Sequence, residues 1–305
     1  MPTIKEYYGI VGPVPFVDVE IAQDNRLYVD PHAIRLRGRP EPFASHALRC
    51  IDTFFHQVTR SIIEDTPASR AHGRRLLQRF TEPWETRLGM AKESFHGHGG
   101  AEDVGTWIWN VLTGDAEAAV RVGVLRHVED LPLFVEGVDR DITSDITTRI
   151  IFSALTDFTE AMIEVYPQFR GGPDGTGVFE KQVWDPSLRA WRNRLVTLPI
   201  VDGKALLLVP QGWARPALLM SARRFYGTTV LSYAQLKQAV VDAEGKLLKP
   251  SKKSLRKQSG LRESRLTNRQ VTMEAIEDEH DLLEAFKAFV ALQEDPDDGM
   301  ALAVA

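Results

Sequence analysis

Between residues 43 and 63 the apolar side chains Leu48, Ile51, Phe54, Phe55, Val58, Ile62 and Ile63 recur at helical spacing. One face of a long helix is thereby reserved for a buried interface, and the rest of the chain has to cover it. Further helical patterns supply part of that cover. A basic helix is expected over 69–80, with Arg70, Arg74, Arg75 and Arg79 around Leu76, Leu77 and Phe80. Another starts near Ala101 with Val104, Trp107, Ile108, Val111 and Leu112 as its stripe, and a long one spans 144–166 on Ile146, Ile150, Ala154, Phe158, Ala161 and Val165. Helices are also expected over 217–226 and 233–244.

Strand patterns are fewer. Residues 14–29 read as two short strands around a turn at 23–26, and 131–135 as a buried strand. Residues 178–184, 194–201 and 205–209 complete the set, the last two joined at Asp202-Gly203. Asp-Gly is a hairpin signal, and Lys204 could lengthen the connection. The expectation is a mixed α/β (α+β) fold: a single mixed-sheet body over 1–245 with several long helices, then a charged helical extension over 246–305.

Composition narrows the classes. With 43% hydrophobic and 26% charged residues, the chain has the makeup of a soluble globular protein. A net charge of −5 argues against a uniformly basic coat for nucleic acid but leaves room for a local basic patch. Cys50 is the only cysteine, which excludes an intrachain disulfide and a cysteine-rich zinc site. The start MPTIKEYYGIVGP has no signal-peptide pattern, and no apolar run reaches the ~18 residues of a membrane span. A cytoplasmic location and no membrane partner are expected. No solenoid repeat is present.

The densest chemistry lies at 131–151, LPLFVEGVDRDITSDITTRII, where Glu136, Asp139, Asp141 and Asp145 crowd the start of a helix. Carboxylates that converge from fixed elements can hold hard divalent cations, which is what metal-dependent phosphodiester cleavage requires. Asp141 and Asp145 share a face only if the helix begins as early as Asp141. The competing reading is structural: Asp141 or Ser144 caps the helix and Asp145 favours its dipole. A second set, Glu82 and Glu85 in TEPWETRLG with His96 and His98 in FHGHGG, sits on a long loop and could supply further ligands or a general base.

Other chemistries fit poorly. Gly97, Gly99 and Gly100 before a helix suggest an anion nest, but Glu102 and Asp103 follow them, and the lysine of a P-loop is missing. Glu180-Lys181 lacks the spacer of a nuclease Glu-x-Lys pair, and Asp202-x-Lys204 falls on a hairpin tip. No Ser-His-Asp set and no Gly-x-Ser-x-Gly motif can be assembled. Trp107, Trp109, Trp184, Trp191 and Trp213 are expected in the core or at interfaces.

Nucleic-acid contacts are expected from Arg70, Arg74 and Arg75 and from the arm 246–269, above all Lys252, Lys253, Arg256 and Lys257. The alternative for the arm is pairing with the acidic stretch at Glu274, Glu277, Asp278, Glu279, Asp281 and Glu284. Residues 294–305 are expected to be poorly ordered.

In the segments DNRLYVDP, TEPWETRLGMAKESFHGHG, VEGVDRDITSDITTRII and LPIVDGKALLLVP the chain resembles an uncharacterised bacterial protein family associated with phage-defence gene clusters. The resemblance covers most of the body and implies a bacterial cytoplasmic setting. Trp84 departs from it, standing where a small polar residue is usual. The expectation from sequence is a metal-dependent nuclease or related phosphodiesterase, with Asp141, Asp145 and Glu82 holding Mg²⁺ or Mn²⁺ and Glu82 or Glu85 completing the catalytic set. The alternative is a non-catalytic nucleic-acid-binding or adaptor subunit of a multiprotein defence complex.

Overall fold

The structure is a computed structural model, described for residues 2–78, 80, 83–89, 101–114, 116–121 and 123–294. Its strands are β1 (Tyr28–Val29), β2 (Thr176–Asp185), β3 (Ala190–Val201), β4 (Lys204–Ala205), β5 (Ala214–Arg215), β6 (Val240–Val241) and β7 (Leu247–Leu248). They form three small antiparallel sheets, β1-β5, β2-β3-β4 and β6-β7, among several helices. The fold is mixed α+β as expected, with separate small sheets in place of one mixed sheet.

The long helix runs from Phe43 to Glu64 and buries Ala47, Ile51, Phe54, Phe55, Val58 and Ile62. Helices Pro67–Leu77 and Phe152–Val165 and strand β2 cover that face. Phe54 meets Trp184 of β2 edge to face at 5.1 Å, and Trp191 of β3 at 5.7 Å. Offset and edge geometries of this kind favour tight aromatic packing. Helix Ala101–Leu112 approaches Pro67–Leu77 closely enough that a Cβ on Gly105 would lie 1.9 Å from the Leu77 carbonyl oxygen. Between β3 and β4, Asp202 and Gly203 take φ of 49° and 70°. This is the two-residue hairpin turn that Asp-Gly favours; Lys204 pairs with Val201 inside the strand and does not lengthen the loop.

Four local expectations are corrected. Residues 14–29 do not pair as a hairpin: Phe16 bridges Pro210, Val17 N–H donates to the Val209 carbonyl, and β1 pairs with the distant β5. The run at 131–135 forms a short helix, Leu131–Phe134, after a 3₁₀ turn at Val128–Asp130. Pro132 suits a first helical turn, and a short all-apolar run does not by itself separate a buried helix from a buried strand. The helix expected over 144–166 is two, Arg140–Ile150 and Phe152–Val165, meeting at Ile151. The last helix of the body ends at Lys237, and β6 and β7 follow it.

Beyond Gly245 the chain folds back onto the body through helices Lys252–Leu255, Arg265–Glu277 and Leu282–Ala291. Leu255, Val271, Leu283, Phe286 and Val290 join the same apolar core as the rest. Asn268 Nδ2 donates to the Leu133 and Ala222 carbonyls, and Lys287 Nζ meets the fully buried Asp130 at 2.9 Å. No described helix is long and apolar enough to cross a membrane. Of the residues 294–305 expected to be poorly ordered, Glu294 instead pairs with Arg215 at 2.6 Å, and 295–305 lie outside the described residues.

Candidate functional site

The segment from Pro83 to Gly89 is a tightly tied turn. Trp84–Thr86 make a single 3₁₀ turn closed by Thr86 Oγ1 donating to the Pro83 carbonyl, and Arg87 follows in the left-handed region. Asn25 clamps it: its backbone N–H and its Nδ2 both donate to the Arg87 carbonyl, at 2.8 and 3.0 Å, while its own carbonyl accepts from Gly89 N–H. The Leu207 N–H donates to the Glu85 carbonyl at 2.8 Å. Backbone tied at so many points holds its side chains in fixed directions.

Glu85 points inward and is 1% exposed. Its Oε1 accepts from Lys181 Nζ of β2 at 2.8 Å and its Oε2 from Arg149 Nη2 at 3.3 Å. A buried carboxylate is tolerated when paired in this way, and loss of the partners would leave an uncompensated charge. The neighbouring Arg87 guanidinium is pushed down by burial, against the pull of Asp24, Glu85 and Asp202.

Arg149 belongs to the helix Arg140–Ile150. Asp139 caps that helix, its Oδ1 accepting from the Asp141 and Ile142 N–H groups at 3.1 and 3.2 Å. The start at Arg140 puts Asp141, Asp145 and Arg149 on successive turns of one side. The turn runs alongside that stripe, since Glu85 meets Arg149 at one end while a Cβ on Gly89 would lie 3.2 Å from Asp141 Oδ1 at the other. The other side of the helix is polar yet buried. Thr143 and Thr147 donate to the carbonyls one turn back, and Ser144 Oγ accepts from the Val29 N–H of β1. Arg140 lies over the Tyr28 ring at 4.7 Å, and burial raises the Tyr28 pKa, partly offset by that guanidinium.

The four acids of 131–151 therefore separate. Glu136 pairs with Arg265 at 3.2 Å, Asp139 is the cap, and Asp141 and Asp145 remain on the stripe. Glu82, His96, His98 and Arg79 lie outside the described residues. Among the described residues no group of three or more His, Cys, Asp and Glu stands where it could hold a metal. Arg70 is paired with Asp65, whereas the exposed Arg74 and Arg75 line, with Trp109, a shallow depression of about 410 Å³. In the arm, Lys252 Nζ donates to the Gly227 carbonyl at 2.7 Å and Arg256 lies over Tyr226, while Lys253 and Lys257 are exposed. The acidic stretch meets a cation of the body, Lys237, which pairs with Glu274 and Asp278.

Three arrangements escaped the sequence. Trp84 projects from the turn, and Glu129 and Asp130 are buried ion-pair anchors, Glu129 taking Arg35 Nε at 2.6 Å. The third is a Ser-His-Asp alignment: Ser153 Oγ lies 3.3 Å from His46 Nε2, and His46 Nδ1 lies 3.0 Å from Asp157 Oδ2. It is a staple between two helices. Asp157 raises the His46 pKa to about 9, so the imidazole is a cation at neutral pH and does not take the serine proton. Ser153 is also 4% exposed and directs its hydroxyl to the Trp184 carbonyl.

A family profile described as "Domain of unknown function (DUF8370)" matches residues 12–220. The chain belongs to that family. The DUF8370 region contains the whole of the Glu85 turn, the Asp141 stripe and Lys181, and it ends before Lys252, Lys253, Arg256 and Lys257. No curated protein and no solved structure matches the chain.

Proposed function

We propose that this DUF8370 protein is a metal-dependent nuclease or related phosphodiesterase of the bacterial cytoplasm, and that it acts in anti-phage defence, a setting drawn from the sequence resemblance and not from the DUF8370 match. The observation that carries the reading is the composition of one face: Asp141 and Asp145 one turn apart, backed by Glu85, Lys181 and Arg149. Two acids one turn apart, on a helix whose Arg149 joins Glu85 and Lys181, are groups of the kind that phosphodiester cleavage uses. Asp141 and Asp145 would hold Mg²⁺ or Mn²⁺, with Glu82 as the further carboxylate expected from the sequence. Bound there, the cation would supply Lewis acidity toward a phosphoryl oxygen and a lowered pKa for an attacking water. Glu85 holds Lys181 and Arg149 through its two carboxylate oxygens and fixes their positions beside the stripe.

A non-catalytic nucleic-acid-binding or adaptor role is favoured by a different observation. Glu85 already serves two cations, and the described residues offer no three-donor group for a metal. In that reading Arg74, Arg75, Lys253 and Lys257 make the contacts and the stripe is structural.

One assay separates the two. Single- and double-stranded DNA and RNA are incubated with the protein and Mg²⁺ or Mn²⁺, beside the Asp141→Asn/Asp145→Asn variant. Cleavage that falls by about 100-fold or more in the variant, at unchanged melting temperature, is expected. Turnover retained by the variant would remove the proposed site, and salt-sensitive binding without cleavage would move the assignment to the adaptor.

A further inference from the structure

We infer that Trp84 is a base-stacking platform and that the nucleic acid taken at this face is single-stranded; the inference rests on the nucleic-acid reading above. Trp84 is 40% exposed, although the residues on either side of it, Pro83 and Glu85, are buried. Lys181 Nζ stands 5.1 Å from the centre of its ring and the Arg87 guanidinium 5.6 Å. Part of the ring thus stays open to solvent while two cations lie over it, the pairing by which single strands are held: bases stack on the exposed ring surface while phosphates meet the charges.

A lone exposed aromatic is ordinary on a protein surface. Two features set Trp84 apart. Its turn is anchored by Asn25, Leu207 and the buried Glu85 carboxylate, so the ring is presented without a large ordering cost on binding. The same seven-residue turn runs from Arg149 to Asp141, so a strand stacked on Trp84 would lie next to the acidic stripe. Arg87 is fixed against the same turn, its Nη1 donating to the Trp84 carbonyl at 3.1 Å. Paired bases inside a duplex are already stacked on their neighbours and offer the ring no face.

The test is fluorescence anisotropy in EDTA with a labelled oligothymidylate of about a dozen nucleotides and, separately, a duplex of equal length. The wild-type protein, Trp84→Ala and Trp84→Phe are compared. Stacking predicts that Trp84→Ala weakens single-strand binding by about tenfold or more and that Trp84→Phe restores it to within about threefold, with duplex affinity the same in all three. Equal single-strand affinity of wild type and Trp84→Ala, a wild-type preference for duplex, or no binding of the single strand overturns the inference. Because the readout needs no metal, it fails independently of the nuclease proposal. Cleavage by the wild type with no effect of Trp84→Ala on binding would sink the platform alone, whereas a Trp84 effect without cleavage in Mg²⁺ or Mn²⁺ would sink the nuclease alone.

Discussion

His46 keeps its proton well past neutrality. The hydrogen bond to Asp157 is the main cause, with Cys50 adding to it, and together they raise the imidazole from 6.5 to about 9. Asp157 is itself held low, since burial is outweighed by His46 and Arg194. A pKa raised in the folded state contributes stability that is complete below 6.5 and is lost as pH climbs through about 9. Both groups are partly exposed, so the contribution is about 1–2 kcal/mol. Urea unfolding of wild type and His46→Gln at pH 6 and pH 10 should show a gap that shrinks by that amount at the higher pH. Glu85 makes a sharper case. Glu85→Gln leaves Lys181 and Arg149 facing each other in a buried site, and a loss of about 3–5 kcal/mol is expected by chemical denaturation. Asp141 and Asp145 were legible as a pair from their spacing. Glu85's partners were not, because Lys181 lies 96 residues away and only the fold brings it in.

Among elements, those defined by local period were readable and those defined by a distant partner were not. The helix Phe43–Glu64 and the hairpin turn at Asp202-Gly203 follow from spacing and turn chemistry that the sequence contains. The pairing of β1 with β5 joins residues nearly two hundred positions apart in the chain, and nothing near residue 28 signals it. Leu131–Phe134 was misread because a short apolar run buried on all sides has no period to reveal. The start of Arg140–Ile150 depended on a cap, and Asp139 took that role in place of Asp141 or Ser144. One contact between elements gives a direct prediction. Gly105 packs against the Leu77 carbonyl with no room for a methyl group, so Gly105→Ala should destabilise the fold by about 1–3 kcal/mol, despite alanine's better helix propensity. A melting temperature at or above wild type would show that the two helices separate easily.

For the molecule as a whole, the mixed fold class was readable from the alternation of patterns, whereas the way the ends join was not. The charge change at Gly245 suggested an arm apart from the body, yet Asp130, Lys287, Asn268 and Phe286 tie 246–294 into the common core. Lys287→Ala would strand the Asp130 charge where it is wholly buried. A loss of about 2–4 kcal/mol is expected, moderated by the backbone N–H groups of Arg126 and His127 that also serve this carboxylate. The hairpin β6-β7 links the two regions and exposes Val240, Val241, Leu247 and Leu248 around its tip. Because 246–294 shares the core of the body, the backbone of this hairpin is expected to be dispensable as a tether. A protease nick between 242 and 246 should leave both fragments co-eluting under native conditions. Two halves expressed as separate polypeptides, one ending at 242 and one beginning at 246, should find each other and reconstitute the protein, each insoluble without its mate.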